Sequence, residues 1–438
     1  MRARCLAGIR NRTTAGTTRY DATYYYQDGS LWDHTGNPVK RTENIAGSTY
    51  TTTLRYDAVY RQTEETKRDS SNNVVYGLTY GYDAVGNRTS RTLGGTTTTY
   101  GYDDNSKLLT VNGVTSCTYD WNGNLTNSYG NLPSKDMTYN DDNRLTSITY
   151  GGTTDYYYYQ YTGLRYRARL NGTYYRYLYD GERVLEELND SGTMQARYTT
   201  EDETYEGMWL HLYRTSGTLS RFPMYDNIGT ARGLLDASGT ATDWYELDTF
   251  GRQVSSSGTT PNPYRYGGAW GYITDPSGLL QLGARFYWPE LGRFVSQDPI
   301  ADGDNWYDYG GGNPVVTADP TGEHWYDPFH WFHPRPKPKP KPSCTPKPCP
   351  KPPKPCPPPR PGWRDWLRGL WTGGTTATLP CDESAGTLAG SGATTAGNII
   401  GYRREADWWY DSGSDADCDY PEGLAEQRRR WGRAAERW

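Results

Sequence analysis

A chain of 438 residues with a formal net charge of −5 and a pI near 5.7 has no global attraction for nucleic acid or for an anionic membrane. Apolar residues make up only 34%, and 41 Tyr stand against 6 Phe, so a core of aliphatic-packed helices is excluded and many short strands with tyrosine bodies inside are expected. No apolar run approaches the roughly 20 residues of a bilayer span, and the opening MRARCLAGIRNRTT has bases without a hydrophobic stretch, so neither a span nor a signal peptide is expected.

Along the chain a Tyr followed closely by Asp, with Gly or Asn a few residues on, recurs many times. A degenerate RYDA at Arg19 is followed by RYDA from Arg55, YDAVGNR from Tyr82, YDDNSKL from Tyr102, YDWNGNL from Tyr119 and YNDDNRL from Tyr139. YTGLRYR from Tyr161, YDGERV from Tyr179, YDNIGTA from Tyr225 and YELDTFGR from Tyr245 complete the series. Between Tyr82 and Tyr179 these anchors lie 20, 17, 20, 22 and 18 residues apart, too short for a helical hairpin repeat and suited to two strands and two turns. The segments before the anchors, TTTTYGYD from Thr96 among them, are β-branched and aromatic, and D-x-x-G or D-x-N-G after them reverses the chain. One such hairpin is barely stable alone, so the repeats are expected to stack into a continuous sheet, with their Tyr and Asp serving packing and turns.

From Pro263 to Gly322 the chain reads PYRYGGAWGYITDPSGLLQLGARFYWPELGRFVSQDPIADGDNWYDYGGGNPVVTADPTG. This run resembles the Rhs repeat-associated core, with its Gly-Ala-Arg and two aromatics, its Gly-Arg-Phe and Asp-Pro, and its closing Asn-Pro and Asp-Pro-x-Gly. Together with the Tyr-Asp repeats it resembles the Rhs or YD-repeat family of bacterial polymorphic toxins and toxin-complex C components over residues 19 to 322. The resemblance implies an all-β array forming a spiralling sheet, a partial shell, that packages or presents a variable C-terminal region. The array has about ten repeats and is read as truncated at its N-terminus, too short to close a shell.

The same resemblance implies self-cleavage beyond the final Asp-Pro-x-Gly. Carried onto this chain, Asp298 and Asp319 are the catalytic pair, Arg293 is the charge that orients them, and the cut falls after Glu323. Two carboxylates held close cannot both ionise cheaply, so one keeps a proton and the pair can activate water and protonate a leaving group. Two positions depart from the family pattern: Glu323 stands where cleaving members have Leu, and Trp288 where they have Asp. The competing reading is that both Asp-Pro pairs only make turns.

The expected organisation is a repeat array over 1–262, the core over 263–322, an aromatic and proline-rich linker over 323–362 and a variable tail over 363–438. The linker, with bases and no acid among its prolines from 334 to 361, reads as an extended polyproline spacer. Cys344, Cys349 and Cys356 lie inside it, and His324, His330 and His333 just before it. Neither set has the convergence a metal needs, so no metal and no cofactor is expected. In the tail no nuclease, deaminase or protease signature is legible, and PEGLAEQRRRWGRAAERW reads as a short basic helix with Leu424, Trp431 and Trp438 at heptad spacing.

The expected function is therefore a scaffold in interbacterial competition or toxin delivery, secreted or at the cell surface as the family implies. Its expected partners are its own C-terminal segment and, by the same resemblance, a delivery apparatus, an immunity protein or surface carbohydrate, with no nucleic acid indicated. Two alternatives stay open: an adhesion protein whose Tyr and Trp surface binds carbohydrate, and an inactive fragment of a larger toxin.

Overall fold

The computed structural model describes residues 6–12, 17–28, 31–32, 36–45, 47–200, 209–323 and 409–410. The expected proline linker, most of the tail, its basic helix, the three linker cysteines and His324, His330 and His333 lie outside them. Contacts divide the chain into two units, one of residues 1–331 with 402–438 and one of residues 332–401. All that follows concerns the first.

The described chain is all-β, with short 3-10 turns and no α-helix among the described residues. One antiparallel sheet runs as a meander from Leu6–Arg12 to Val114–Thr115, with Trp409–Tyr410 paired against its first strand. A second, of 14 strands, runs from Cys117–Tyr119 to Gln253–Ser257 with every strand beside its sequence neighbours.

The Tyr-Asp motif explains the repetition. At Tyr56, Tyr82, Tyr102, Tyr119, Tyr139, Tyr159 and Tyr179 the register shifts at a bulge, and the strand bends there. The displaced hydroxyl then hooks a carbonyl of an earlier strand: Tyr139 donates to Leu125 O at 2.9 Å, Tyr159 to Leu145 O at 2.7 Å and Tyr179 to Arg165 O at 2.7 Å. The following Asp closes the turn. Asp83 Oδ1 accepts from the amides of Val85 at 3.1 Å and Asn87 at 2.8 Å, Asp57 and Asp103 repeat both bonds, and Asp120 repeats the second.

One anchor differs from the sequence reading. The hooked tyrosine is Tyr159, with Gln160 in the aspartate place, whereas Tyr161 stands fully exposed at 102% on the turn. Tyr161 has no strand behind it to hook, because the bulge falls at Tyr159. The anchors at Tyr119, Tyr139, Tyr159 and Tyr179 are thus evenly 20 residues apart.

The segment 263–322 forms a small sheet of Ile273–Thr274, Leu280–Leu282, Arg285–Trp288 and Arg293–Phe294, and its Phe286, Tyr287, Trp288 and Phe294 are buried. These rings join one apolar cluster with Leu108, Leu125, Ile148, Tyr157, Ala168 and Tyr177 from the repeats. The segment is therefore the filling of the array. Polar ties fix it to both large sheets: Arg88 Nη2 donates to Glu290 O at 2.9 Å, Tyr307 Oη to Gly123 O at 2.7 Å and Tyr157 Oη to Asp275 Oδ1 at 2.9 Å.

The two large sheets also meet directly. Lys67, fully buried, pairs with Glu43 at 3.4 Å and with Glu246, while Arg232 pairs with Glu246 at 3.0 Å and Glu43 at 3.5 Å. Arg41 joins them at 3.2 Å from Glu43, and because burial raises the cost of each charge, the pairing of three cations with two carboxylates is what makes the cluster tolerable.

Candidate functional site

The closing end of the core places the two aspartates. After Leu280–Leu282 the chain turns at Gly283 into Arg285–Trp288, and the last described residues run back along this hairpin, Ala284 N donating to Thr321 O at 2.9 Å. The approach depends on two glycines. A Cβ on Gly283 would run into Thr321 O and one on Gly322 into Leu282 O, and both residues have positive φ, +49° and +68°.

Asp298 and Asp319 divide their carboxylate oxygens in the same way. Asp298 Oδ1 accepts from Ile300 N at 2.9 Å, two residues on as in an Asx turn, and Asp319 Oδ1 accepts from Glu323 N at 3.2 Å, four residues on. The other oxygen, Oδ2, of each lies 3.3 Å from the same atom, Arg285 Nη2. Each aspartate thus bonds a nearby amide with one oxygen and faces Arg285 with the other.

Arg285 is held on all sides. Its Nη1 donates to Trp306 O at 3.1 Å, its Nε donates to Gly322 O, and its guanidinium lies 3.6 Å from the centroid of the Phe294 ring. The side chains of Arg285, Asp298 and Asp319 are 4%, 8% and 3% exposed, so one cation faces two nearly dry carboxylates. Burial pushes the Asp319 carboxyl above the ordinary carboxylate range, and Asp298 pushes the same way, against Arg285 and the amides of Gly322 and Glu323. Burial likewise lowers the pKa of Arg285, opposed by both aspartates. An additional neighbour, Asp308, is pushed up to about 6 by burial.

Arg293 is elsewhere, which corrects the sequence reading. Its Nη2 donates to Ser106 O, and its guanidinium stacks between Tyr102 at 4.9 Å and Tyr307 at 4.7 Å. It ties the core to the repeats. The cation beside both aspartates is Arg285, from the Gly-Ala-Arg stretch, because Arg285–Trp288 is the strand that the last segment lies along. Trp288 is 1% exposed, with Lys135 Nζ 5.1 Å from its ring centroid, so the residue that departs from the family pattern serves packing.

The arrangement is two carboxylates on one cation, the proton affinity of Asp319 raised by burial, beside the backbone of Gly322 and Glu323. Glu323 N is bonded to Asp319, and the next residue lies outside the described ones.

The chain is similar to bacterial toxins. It is 31% identical over 266 residues to the tRNA nuclease WapA of Bacillus subtilis, covering 57% of this chain and 11% of that protein. A double-stranded DNA deaminase toxin of Burkholderia cenocepacia is 23% identical over 347 residues, 67% of this chain and 22% of that one. The chain thus spans only about a tenth to a fifth of these relatives. A chain of the Photorhabdus luminescens Tc holotoxin pore, in a structure carrying a TccC3 mutation, aligns over 71% of this chain and 21% of that one, at 18% identity and a TM-score of 0.37. No family model matches the chain.

Proposed function

We propose that the chain is an Rhs-type repeat scaffold that packages or presents its own C-terminal region, and that Asp298 and Asp319 cut the chain after Glu323 to free it. The observation that carries the reading is the convergence of both Oδ2 atoms on Arg285 Nη2 beside Gly322 and Glu323. In this role one carboxylate draws a proton from water as the other donates one to the departing amide nitrogen. Arg285 is the positioning residue that lets two acids share a dry site. Similarity to toxins supports delivery or interbacterial competition as the setting, and the secreted or cell-surface location and the immunity or delivery partners belong to the same proposal.

The test is the intact mass of the purified full chain. Cleavage gives a fragment ending at Glu323 in the wild type, with one uncut species for Asp298→Asn and for Asp319→Asn. An uncut wild type, or a cut that survives both substitutions, overturns the proposal.

A further inference from the structure

Asp319 is held at three points, and only two of them belong to its carboxylate. Oδ1 accepts from Glu323 N and Oδ2 faces Arg285, while the backbone N–H of Asp319 donates to Tyr272 Oη. Pro320 has no N–H to offer, and both Asp319 and Tyr272 are buried, so this donor has to find its acceptor inside the protein. Tyr272 is placed for the task by the turn at 267–272. Its own N–H donates to Gly267 O at 3.4 Å, and a Cβ on Gly267, at φ +54°, would run into the Tyr272 ring. Having accepted from Asp319, the hydroxyl has one proton to give, and Tyr309 Oη lies 3.3 Å away to take it.

Tyr272 is also part of a buried stack with Tyr266, Tyr287 and Tyr309. Ring centroids are 4.5 Å apart for Tyr287 and Tyr309, 6.1 Å for Tyr266 and Tyr272 and 6.4 Å for Tyr266 and Tyr287. Two of these hydroxyls end on the array: Tyr266 donates to Thr249 O and Tyr287 to Phe250 O, both at 2.8 Å. Thr249 and Phe250 lie in the last Tyr-Asp turn, which Asp248 closes by accepting from Arg252 N at 2.9 Å, and a Cβ on Gly251 of that turn would meet the Tyr266 ring.

We infer that Tyr272 is a positioning residue for the cut after Glu323, and that the turn at 248–252 braces it through the tyrosine stack. The inference rests on the cleavage proposed above. Contacts to Glu323 N and Arg285 set the direction of the Asp319 carboxylate, whereas the bond to Tyr272 fixes the backbone from which it hangs. Without that hydroxyl the Asp319 N–H must move to find a partner, and Oδ2 draws away from Arg285. A misplacement of about 1 Å is enough to cost about a hundredfold in rate. Asp319 is faced by Arg285, Asp298 and the hydroxyls of Tyr272 and Tyr309, with Asp308 beside Arg285. Arg285 is the side chain among these that favours the ionised carboxyl, so a carboxyl drawn away from it holds its proton to higher pH.

The test is a time course of cutting. The full chain, unfolded in urea, is diluted into buffers between roughly pH 4 and pH 8, the span over which raised carboxyls titrate, with cutting followed by intact mass and folding by tryptophan fluorescence. Tyr272→Phe is expected to fold at the wild-type rate, to cut about tenfold to a hundredfold more slowly, and to move the limb of the pH profile set by Asp319 upward by about one unit. Tyr266→Phe keeps its ring and loses its hold on Thr249 O, and is expected to slow cutting at least about threefold with folding unchanged. If Tyr272→Phe does not fold, Tyr309→Phe, which leaves Tyr272 on Asp319 and removes only its acceptor, is expected to slow cutting at least about threefold. A wild type that cuts, beside folded variants at Tyr272 or Tyr309 with its rate and pH profile, would overturn the inference and leave the cleavage standing. An unchanged rate in Tyr266→Phe overturns the bracing by the array, and a wild type that stays whole overturns the cleavage and the inference together.

Discussion

Replacing Arg285 by Gln removes the one cation between Asp298 and Asp319, and its consequence is a stability that depends on pH in a defined direction. Each Oδ2 lies 3.3 Å from Nη2, which at an effective dielectric of about 20 is worth roughly 5 kcal/mol gross per contact. Desolvation offsets much of that, and breaking a buried pair by deleting one partner costs about 3–5 kcal/mol when the remaining charge stays ionised. The carboxyls are expected to avoid part of this cost by binding a proton. Asp319, already raised by burial in the native protein, is raised further without Arg285, so its folded pKa lies above its unfolded one.

A carboxyl shifted upward contributes stability that is full below its unfolded pKa and is lost as pH rises through the folded pKa. Arg285→Gln is thus expected to lose about 3–5 kcal/mol at pH 8 and about 1–2 kcal/mol less than that at pH 5, since a tenfold change in proton affinity is worth about 1.4 kcal/mol. Urea unfolding followed by tryptophan fluorescence at the two pH values measures the difference. Adding Asp298→Asn and Asp319→Asn to Arg285→Gln should remove the share of the pH dependence that these two carboxyls carry and leave that of Asp308. An equal loss at both pH values, or one larger at pH 5, would contradict this account of the charge cluster.

Tyr139→Phe removes the hydroxyl hook on Leu125 O and should cost about 0.5–1.5 kcal/mol in the same assay, with the fold retained. Tyr60 holds φ +68° at the turn position where other repeats have Gly, and it is 48% exposed, so Tyr60→Gly is expected to raise the urea midpoint by relieving up to about 1 kcal/mol of backbone strain. Gly322→Ala drives a Cβ into Leu282 O and should displace the end of the core; the expected outcome is a lower unfolding midpoint and an uncut chain by intact mass.

Much of the fold is local and is therefore legible in the sequence. Tyr at the end of a β-branched strand and Asp-x-x-Gly after it are determined by turn and strand chemistry within a few residues, and Tyr82 with Asp83 to Asn87 behaves as that pattern implies. The difference at Tyr161 has the same origin. Gln160 makes a turn like the aspartates through its backbone, and without an acid to mark it, the pattern points to the exposed Tyr161 in place of Tyr159.

The site is legible in its carboxylates and not in its cation. Asp298 and Asp319 announce themselves by their Asp-Pro pairs, but both Arg285 and Arg293 precede them in glycine-flanked stretches, and only strand pairing decides which one points at them. Burial does not separate them, since Arg293–Ser296 is a buried run just as Arg285–Trp288 is. Lys67, Glu43, Arg232 and Glu246 are invisible in the sequence for a related reason, since they come together from strands nearly 200 residues apart.

Many of the ties between the core and the repeats use a main-chain atom on one side. Arg293 reaches Ser106 O, Tyr307 reaches Gly123 O, Tyr287 reaches Phe250 O, Lys135 reaches Ser277 O and Leu125 N meets Val295 O. A carbonyl is the same in every residue. Where the array offers only a carbonyl, as at Ser106, Gly123 and Phe250, the residue there can change without losing the tie, whereas Arg88, Lys135, Tyr157 and Arg165 reach the core with their own side chains and are fixed by it. The array thus holds its filling by two kinds of grip, one indifferent to sequence and one that only particular residues can make.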